Sequence, residues 1–339
     1  MNLQDTPAVF KILNVKKLIL ESVIEGDKFV CADEKGQRYV LKEVRGVEDV
    51  FYEKIFPLIE KMNLNFEILQ LPESLDIVPE SNASGQVIRK FIIIKYYDGK
   101  SFNSVWNEVS GEGYGGRSIE PQFANKIVGI LEDFSKIDID KFKPFGLLAF
   151  DFDVWKNVNF SMHLGPTFIN KGIITQSQFD KFFFFVSQQD IFKNSKMILT
   201  NGDFYPRNFI ELDSGKVVVL DWEGRVDVQI DANTQQGPQK FPGQRNALLN
   251  YLVNHLAFIF VHMYGNKKFQ KILIKSAFDK FNLDKRDFQV GVIIKALEQC
   301  WAFGGNALGQ RQIEIALEAL EDDFVDIFFG LKRPTLMKS

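Results

Sequence analysis

Asp203, Asn208 and Asp221 stand at the outer ends of one predicted β-hairpin. The segments Asn208–Leu212 and Lys216–Leu220 predict its two strands, and the Asp-Ser-Gly sequence between them predicts the turn. A hairpin brings its outer ends together, so the loop before the first strand lies beside the residue after the second. The three oxygen-bearing side chains are therefore expected to converge on one point.

Hard oxygen ligands at this density suit Mg²⁺, which keeps several waters and takes one or two protein carboxylates together with substrate phosphates. Phosphoryl transfer requires one carboxylate that orients or accepts the proton of the attacking hydroxyl, and further oxygen ligands that hold the metal. We assign the first role to Asp203 and metal ligation to Asn208 and Asp221. The alternative is a surface hairpin with incidental turn residues, but the joint spacing with Gly202 and Glu223 favours a site.

Length and composition are those of an ordinary globular protein. The 339 residues are 45% hydrophobic and 25% charged, and 34 of them are Phe, which predicts an aromatic-rich core. The net charge of −3, without a basic block, argues against nucleic acid as a partner. Cys31 and Cys300 lie far apart without metal spacing, and the first residues lack a signal-peptide pattern. We therefore expect a cytoplasmic protein with reduced thiols.

The apolar stretch Ala247–Tyr264 is the best candidate for a membrane span. Asn250, Asn254, His255 and His262 interrupt it, so a buried helix is the better prediction and no membrane partner is expected. The two histidines are seven positions apart, whereas zinc sites on helices commonly use a four-residue spacing. We expect core or interfacial histidines here rather than metal ligands.

The first part of the chain is predicted to be rich in strands. Three segments have the β-branched and aromatic content of strands, namely Lys17–Val23, Lys28–Ala32 and Arg38–Val44. Val47–Met62 has the apolar spacing of a helix. Residues 86–97 predict either two strands or one long strand that follows a turn at Asn82–Gly85.

Beyond Ser101 the pattern is mostly helical, apart from the hairpin. We place the boundary near Tyr96–Lys100, with an N-terminal lobe over residues 1–97 and a C-terminal lobe over residues 98–339. The glycine-rich run Gly111–Gly116 lacks the preceding strand and the following Lys-Ser/Thr of a phosphate-binding loop. A flexible connection between helices is the better interpretation of that run.

Residues 201–223 resemble the catalytic and metal-binding loops of the aminoglycoside phosphotransferase/choline kinase-like family. The family pattern is His-Gly-Asp, then Asn five residues after the Asp, and later Asp-Trp/Phe-Glu; here Gly202-Asp203, Asn208 and Asp221-Trp222-Glu223 match it. Asn201 departs from the pattern, because the family has His there, and an amide must support the loop instead. The resemblance implies an α+β, bilobal, protein-kinase-like fold with a small antiparallel β lobe and a larger, mainly helical lobe. It also implies ATP and Mg²⁺ as cofactors and a small-molecule hydroxyl group as the acceptor.

Lys42 matches the strand lysine that holds the α- and β-phosphates in this family. Such a lysine needs an acidic partner on the following helix, where Glu48, Glu53 and Glu60 compete. Glu48 shares the inward face at the start of the helix, so we choose it. An acidic residue that favours the dipole of the first helical turn is nearly as good an explanation.

The resemblance extends to three further parts of the site. Gly26 lies in the expected nucleotide loop, where it serves either a close approach to phosphate or an ordinary hairpin turn. Lys95, Tyr96 and Tyr97 fall on the hinge, whose backbone groups hydrogen-bond adenine. Arg207 is expected either to touch the γ-phosphate or to support the catalytic carboxylate.

The leading prediction is therefore an ATP-dependent kinase of a small molecule, and the alternative is a nucleotide-binding pseudokinase that acts as a scaffold. Asn201 and the single glycine of the nucleotide loop motivate the alternative, whereas the intact Asp203, Asn208 and Asp221 argue against it. The missing glycine-rich loop and Ala-Pro-Glu segment disfavour a protein kinase. An aminoglycoside, choline or a sugar-like acceptor and the oligomeric state all stay open.

Overall fold

A five-stranded antiparallel sheet lies in the first part of the chain. Its strands follow the spatial order Ile19–Ile24, Lys28–Ala32, Arg38–Glu43, Val87–Lys95 and Ser74–Ser81. The computed structural model describes residues 6–24, 28–102, 119–188, 190–222, 227–229, 240–242, 247–263, 266–304, 306–321 and 323–329. The strands of this sheet are β1 (Ile19–Ile24), β2 (Lys28–Ala32), β3 (Arg38–Glu43), β5 (Ser74–Ser81) and β6 (Val87–Lys95), and β4 (Leu69–Gln70) belongs to a second sheet.

The two faces of the first sheet pack against different cores. Phe91 and Ile93 of β6 lie in a small core with the N-terminal helix α1 (Thr6–Lys16), whereas Ile92 and Ile94 lie in the main core. This alternation is the period of two that a strand imposes on its side chains. Helix α1 therefore packs on one face of the sheet, and part of the other face contacts the main core.

The structure decides between the alternatives for residues 86–97 and adds elements that the patterns did not predict. β6 is one long strand that follows a turn at residues 82–85, where Gly85 has φ +81°. β5 was not predicted, because it is a half-exposed strand at the sheet edge that contains Pro79. Helix α1 was also not predicted, although its buried residues Val9, Ile12 and Leu13 have helical spacing.

A continuous helical segment over residues 48–61, here α2, follows β3 and matches the predicted helix. It consists of Glu48–Val50, a π-helical turn at Phe51–Ile55, and Phe56–Lys61. The apolar side chains Phe51 and Ile55 are fully buried. The segment therefore packs firmly and carries its first residue, Glu48, into the interior.

The predicted catalytic hairpin forms two strands of a second, four-stranded sheet. β9 (Phe209–Glu211) and β10 (Val217–Val219) pair antiparallel, flanked by β7 (Lys100–Ser101) beside β9 and by β4 beside β10. Two smaller pairs also form, with β8 (Met197–Leu199) against β13 (Leu249–Tyr251) and β11 (Asp227–Gln229) against β12 (Lys240–Pro242). The hairpin is thus held on both sides, which fixes the positions of its ends.

Helices make up most of the remaining chain that the structure describes. They are α3 (Ile119–Ser135), the segment 152–170 as α4, α5 (Gln176–Val186), α6 (Leu252–His262), α7 (Lys267–Phe281), α8 (Lys285–Phe303), α9 (Ala307–Glu318) and α10 (Phe324–Phe329). The main core unites these helices with the second sheet and α2, and it is rich in buried Phe as predicted. The α+β bilobal class is confirmed, while the division at residue 97 stays a prediction.

The stretch Ala247–Tyr264 divides into the strand β13 and the buried helix α6, so the predicted helix starts later than the apolar pattern does. In the described ranges, no helix combines the length and the apolar character needed to cross a membrane. Gly26, Glu223 and Gly111–Gly116 lie outside the described residues.

Candidate active site

The register of the hairpin brings the two ends of the predicted site together. The Leu220 N–H donates to the carbonyl of Asn208 over 2.8 Å, one step beyond the last residue pair of β9 and β10. Asn208 Nδ2 in turn donates to the backbone carbonyl of Asp203 over 3.0 Å and lies 3.3 Å from its Oδ2 atom. The loop that carries Asp203 is thereby attached to the strand end next to Asp221.

Asn201 ties the same two loops together from the buried side. Its Nδ2 donates to the Asp203 carbonyl over 2.9 Å and to the Leu220 carbonyl over 3.0 Å. The side chain is buried, so these bonds are shielded from water. The Asn201 amide thus connects the predicted catalytic loop, residues 201–207, to the residue before Asp221.

Lys42, Glu48 and Asp221 form one ion-paired group. Lys42 Nζ lies 2.8 Å from Glu48 Oε1 and 2.8 Å from Asp221 Oδ1, with Glu48 fully buried. Burial alone would lower the pKa of Lys42, but the two carboxylates raise it above its ordinary value. Glu53 and Glu60 are exposed. Among the three competing acids the structure therefore places Glu48 beside the lysine.

Lys28 is a site residue that the sequence reasoning missed. It is the direct cross-strand neighbour of Lys42, so both side chains project from the same face of the sheet. Lys28 Nζ lies 3.8 Å from Asp221 Oδ2. Burial tends to raise the pKa of Asp221, but Lys42 and Lys28 hold it below its ordinary value. The carboxylate is therefore ionised near neutral pH.

Asp221 is held in an uncommon backbone conformation by the residue that follows it. Its φ of +56° lies in the left-handed region, which a non-glycine residue occupies only at some cost in free energy. Trp222 is fully buried, its Nε1 donates to the Val219 carbonyl over 2.8 Å, and its ring lies 4.8 Å from the ring of Phe51. The anchored indole thus fixes the direction of the Asp221 side chain and couples it to α2.

Asn208 and Asp221 have the donor set that Mg²⁺ requires. The hydrogen bonds of Asn208 to Asp203 are made by its Nδ2 atom, which leaves the amide oxygen as a ligand. One carboxylate and one amide oxygen match a metal that keeps several waters and binds phosphates. Across the described ranges, no group of three or more His, Cys, Asp and Glu side chains is placed to hold a metal ion, so a closed all-protein site is not found there.

The structure also shows the contacts of the predicted hinge and of Arg207. The N–H groups of Lys95 and Tyr96 donate to the Glu73 and Arg38 carbonyls, so those two donors are already used within the chain. Arg207 Nη2 lies 3.9 Å from Asp203 Oδ2 on a largely exposed side chain. This contact is compatible with both roles considered for Arg207.

Comparison with known proteins identifies the fold. No family model and no curated protein matches the chain. The macrolide 2'-phosphotransferase MphH from Brachybacterium faecium has a TM-score of 0.53 and 13% identity, covering 93% of this chain and 98% of its own. The streptomycin–ATP complex of APH(2")-IIa has a TM-score of 0.52 and 14% identity, covering 97% of this chain and 98% of its own. A thermostable mutant of the aminoglycoside phosphotransferase APH(4)-Ia has a TM-score of 0.52 and 12% identity, covering 95% of this chain and 98% of its own.

The chain has the fold of the aminoglycoside and macrolide phosphotransferases. The similarity extends over nearly the whole of both chains in each comparison. It confirms the fold that the motifs at 201–223 predict. At this level of identity the phosphotransferase fold is what the comparisons establish, and the roles of individual site residues stay predictions.

Proposed function

We propose that the protein is an ATP- and Mg²⁺-dependent phosphotransferase that acts on a hydroxyl group of a small molecule. One observation carries the proposal: Lys42 is ion-paired with Glu48 and with Asp221, and Asp221 lies at the end of the hairpin that carries Asp203. Kinase chemistry requires a strand lysine paired with a helix acid, a metal-binding Asp and a separate catalytic Asp. The phosphotransferase fold supports the same conclusion.

Each residue has a distinct part in the proposed reaction. Lys42 and Lys28 would bind the nucleotide phosphates, and Asn208 and Asp221 would hold Mg²⁺, which supplies charge neutralisation when bound. Asp203 has a half-exposed carboxylate that an acceptor can reach. It orients the acceptor hydroxyl and takes its proton as the oxygen bonds to the γ-phosphorus. The bond from that phosphorus to the bridging oxygen breaks, and ADP leaves with the electron pair.

The comparison structures bear on the acceptor class only through the fold. APH(2")-IIa was solved with streptomycin and ATP and also with gentamicin. We take from these proteins that the fold accommodates a nucleotide together with a small-molecule acceptor. Aminoglycosides, choline and sugar-like compounds are the acceptor classes that we considered from the sequence.

The substitution Asp203→Asn tests the proposal. We expect Mg²⁺–ATP binding within about twofold of the wild type and a fall in kcat of roughly 10²- to 10⁴-fold, because the proton acceptor is lost while the phosphate ligands remain. Nucleotide binding is measured by calorimetry and transfer by the release of ADP with an acceptor panel. Asp213→Asn, an exposed acid in the turn of the same hairpin, is the matched control and should leave kcat unchanged.

Two outcomes would contradict the proposal. Normal turnover by Asp203→Asn would show that Asp203 is not the acceptor of the hydroxyl proton. A wild-type protein that binds Mg²⁺–ATP but transfers phosphate to no acceptor would favour the nucleotide-binding scaffold instead.

A further inference from the structure

A small polar cavity of about 20 Å³ lies beside the catalytic loop, between that loop and helices α6 and α8. Gly202 and Asp203 line one side, and Asn250, His255, Lys295 and Glu298 are the other polar residues around it. A space of this size holds about one water molecule or one hydroxyl group. The cavity therefore adjoins the carboxylate to which we assign proton acceptance.

Lys295 and Glu298 form a buried ion pair at this cavity. Lys295 Nζ lies 2.8 Å from Glu298 Oε2, and the side chains are 5% and 8% exposed. Both residues lie one turn apart on α8, so the pair joins no two elements of the fold. Taking two charges out of water is unfavourable, and apolar side chains would fill such a helix position at least as well. A function at the cavity explains why the charges are there.

The other groups around the cavity limit its net charge. His255 is buried, and burial together with the nearby Lys295 lowers its pKa to about 3, so the ring is neutral near pH 7. Asn250 Oδ1 accepts hydrogen bonds from Asn254 Nδ2 and from the Tyr251 N–H. The charges that remain in the lining are the ammonium of Lys295 and the carboxylates of Glu298 and Asp203. Each carboxylate has a cationic neighbour, since Glu298 pairs with Lys295 and Asp203 Oδ2 lies 3.9 Å from Arg207 Nη2.

We propose that this cavity is an acceptor subsite that takes a second hydroxyl group of an uncharged polyol or sugar-like substrate. Lys295 donates a hydrogen bond to that hydroxyl and Glu298 accepts one from it, while the neighbouring substrate hydroxyl is presented to Asp203. The inference rests on the proposed function and names its acceptor class. A hydroxyl suits this position because it donates and accepts at the same time.

Charged acceptors fit the cavity less well. Because Lys295 and Arg207 already balance the two carboxylates, an added ammonium or carboxylate group would bring an uncompensated charge into a buried site, which is unfavourable. A zwitterion could satisfy both residues, but its two charged groups exceed a space that holds one hydroxyl. The cavity thus selects against aminoglycoside-like polycations at this point.

A matched set of small probes tests the charge preference. Ligand-detected NMR on the full chain, with Mg²⁺ and a non-hydrolysable ATP analogue, measures binding without turnover. The uncharged polyols are glycerol, ribitol and myo-inositol, and their counterparts are 3-amino-1,2-propanediol, glycerate, L-serine and propan-1-ol. We expect at least one polyol to bind, and every charged counterpart and propan-1-ol to bind about tenfold more weakly or not at all, since a hydrogen bond to a charged group contributes about this factor.

Two variants test the residues. Glu298→Gln and Lys295→Met should each weaken polyol binding about tenfold, and Lys295→Met should narrow the difference between glycerol and 3-amino-1,2-propanediol. Lys136→Met is the structural control, because Lys136 also pairs with an acid three residues away, in α3. It should lower thermal stability without a change in polyol binding. If Lys295→Met does not fold, the near-isosteric Glu298→Gln still decides.

The inference is overturned if no polyol binds, if a charged probe binds as tightly as its polyol counterpart, or if Glu298→Gln leaves polyol binding unchanged. Its failure is distinct from that of the proposed function. Phosphate transfer to charged acceptors without polyol binding would contradict the proposed subsite but not the proposed kinase function. Polyol binding without phosphate transfer to any acceptor would contradict the proposed kinase function but not the proposed subsite.

Discussion

At the scale of single residues, Asn201 shows how one buried amide can join two loops of the candidate site. A carboxamide has two N–H donors on one nitrogen, and here they bond the carbonyls of Asp203 and Leu220. Two loops that need a fixed separation are thus joined by one side chain. The amide at position 201 therefore does not by itself indicate a degenerate site.

Lys28 adds a second cation at the place where a nucleotide phosphate is predicted to bind. Its ammonium lies beside Asp221 and next to Lys42, where a nucleotide phosphate would meet both lysines. A partly exposed charge at such a distance contributes on the order of 1 kcal/mol to binding a phosphate.

We predict that Lys28→Met raises the Kd for Mg²⁺–ATP about fivefold, with kcat for the best acceptor changed less than twofold. Calorimetry and initial rates measure the two effects separately. Lys35→Met is the matched control in an exposed turn of the same sheet and should change neither quantity. An unchanged Kd for Lys28→Met would mean that the lysine only balances the charge of Asp221.

At the scale of elements, helix α3 holds the chain between the two sheets through one buried carboxylate. Asp133 accepts hydrogen bonds from the N–H groups of Glu67, Ile68 and Leu69, at 3.0, 2.6 and 2.8 Å, and it pairs with Lys136. Burial tends to raise the pKa of Asp133, but Lys136 and the three N–H groups lower it overall. The carboxylate thus positions β4, which lies beside the catalytic hairpin.

We predict that Asp133→Asn lowers the free energy of unfolding by about 2–3 kcal/mol, because an amide NH₂ then faces backbone donors in a buried place. Urea denaturation near pH 7 measures the loss. The stability difference between the wild type and Asp133→Asn should become smaller as the pH falls through the folded-state pKa of Asp133, since the wild-type carboxyl becomes protonated there. Asp140→Asn, at an exposed position paired with Lys143, should change stability by less than about 0.5 kcal/mol. Equal effects of the two substitutions would contradict the anchoring role.

At the scale of the whole molecule, the ion-paired group of Lys42, Glu48 and Asp221 links the first sheet, α2 and the hairpin. Lys42 and Asp221 are 179 positions apart in the chain. Trp222 adds an apolar connection to Phe51 and Phe56 of α2 beside these charges. The parts that would bind nucleotide and metal are therefore mechanically coupled before any ligand binds.

We predict that Lys42→Met lowers the free energy of unfolding by about 3–5 kcal/mol, because it removes the ammonium group that lies 2.8 Å from the fully buried Glu48 carboxylate. The double variant Lys42→Met with Glu48→Gln should recover more than half of that loss, although nucleotide binding stays impaired. Urea denaturation of the four members of this cycle gives the coupling energy. Additive effects of the two substitutions would show that the pair carries no such coupling.

Local patterns in the sequence determined much of this protein. The spacing of Asp203, Asn208 and Asp221 across two short strands predicts the hairpin that the structure contains, because strand period and turn composition act over a few residues. The strand of Lys42 and the helix after it were predictable for the same reason. Edge strand β5 was not, since half-exposed positions and a proline weaken the apolar alternation on which such a prediction depends.

Only the tertiary structure decided which distant side chains meet. Helical spacing already favours Glu48 over Glu53 and Glu60. The packing of α2, which buries that face of the helix, then brings the Glu48 carboxylate within 2.8 Å of Lys42 Nζ. The contact of Lys28 with Asp221 likewise depends on elements far apart in the chain, and so does the position of the Lys295–Glu298 pair beside Asp203. Hydrophobic periodicity tells which face of an element is buried, whereas its partner is set by how all the faces pack together.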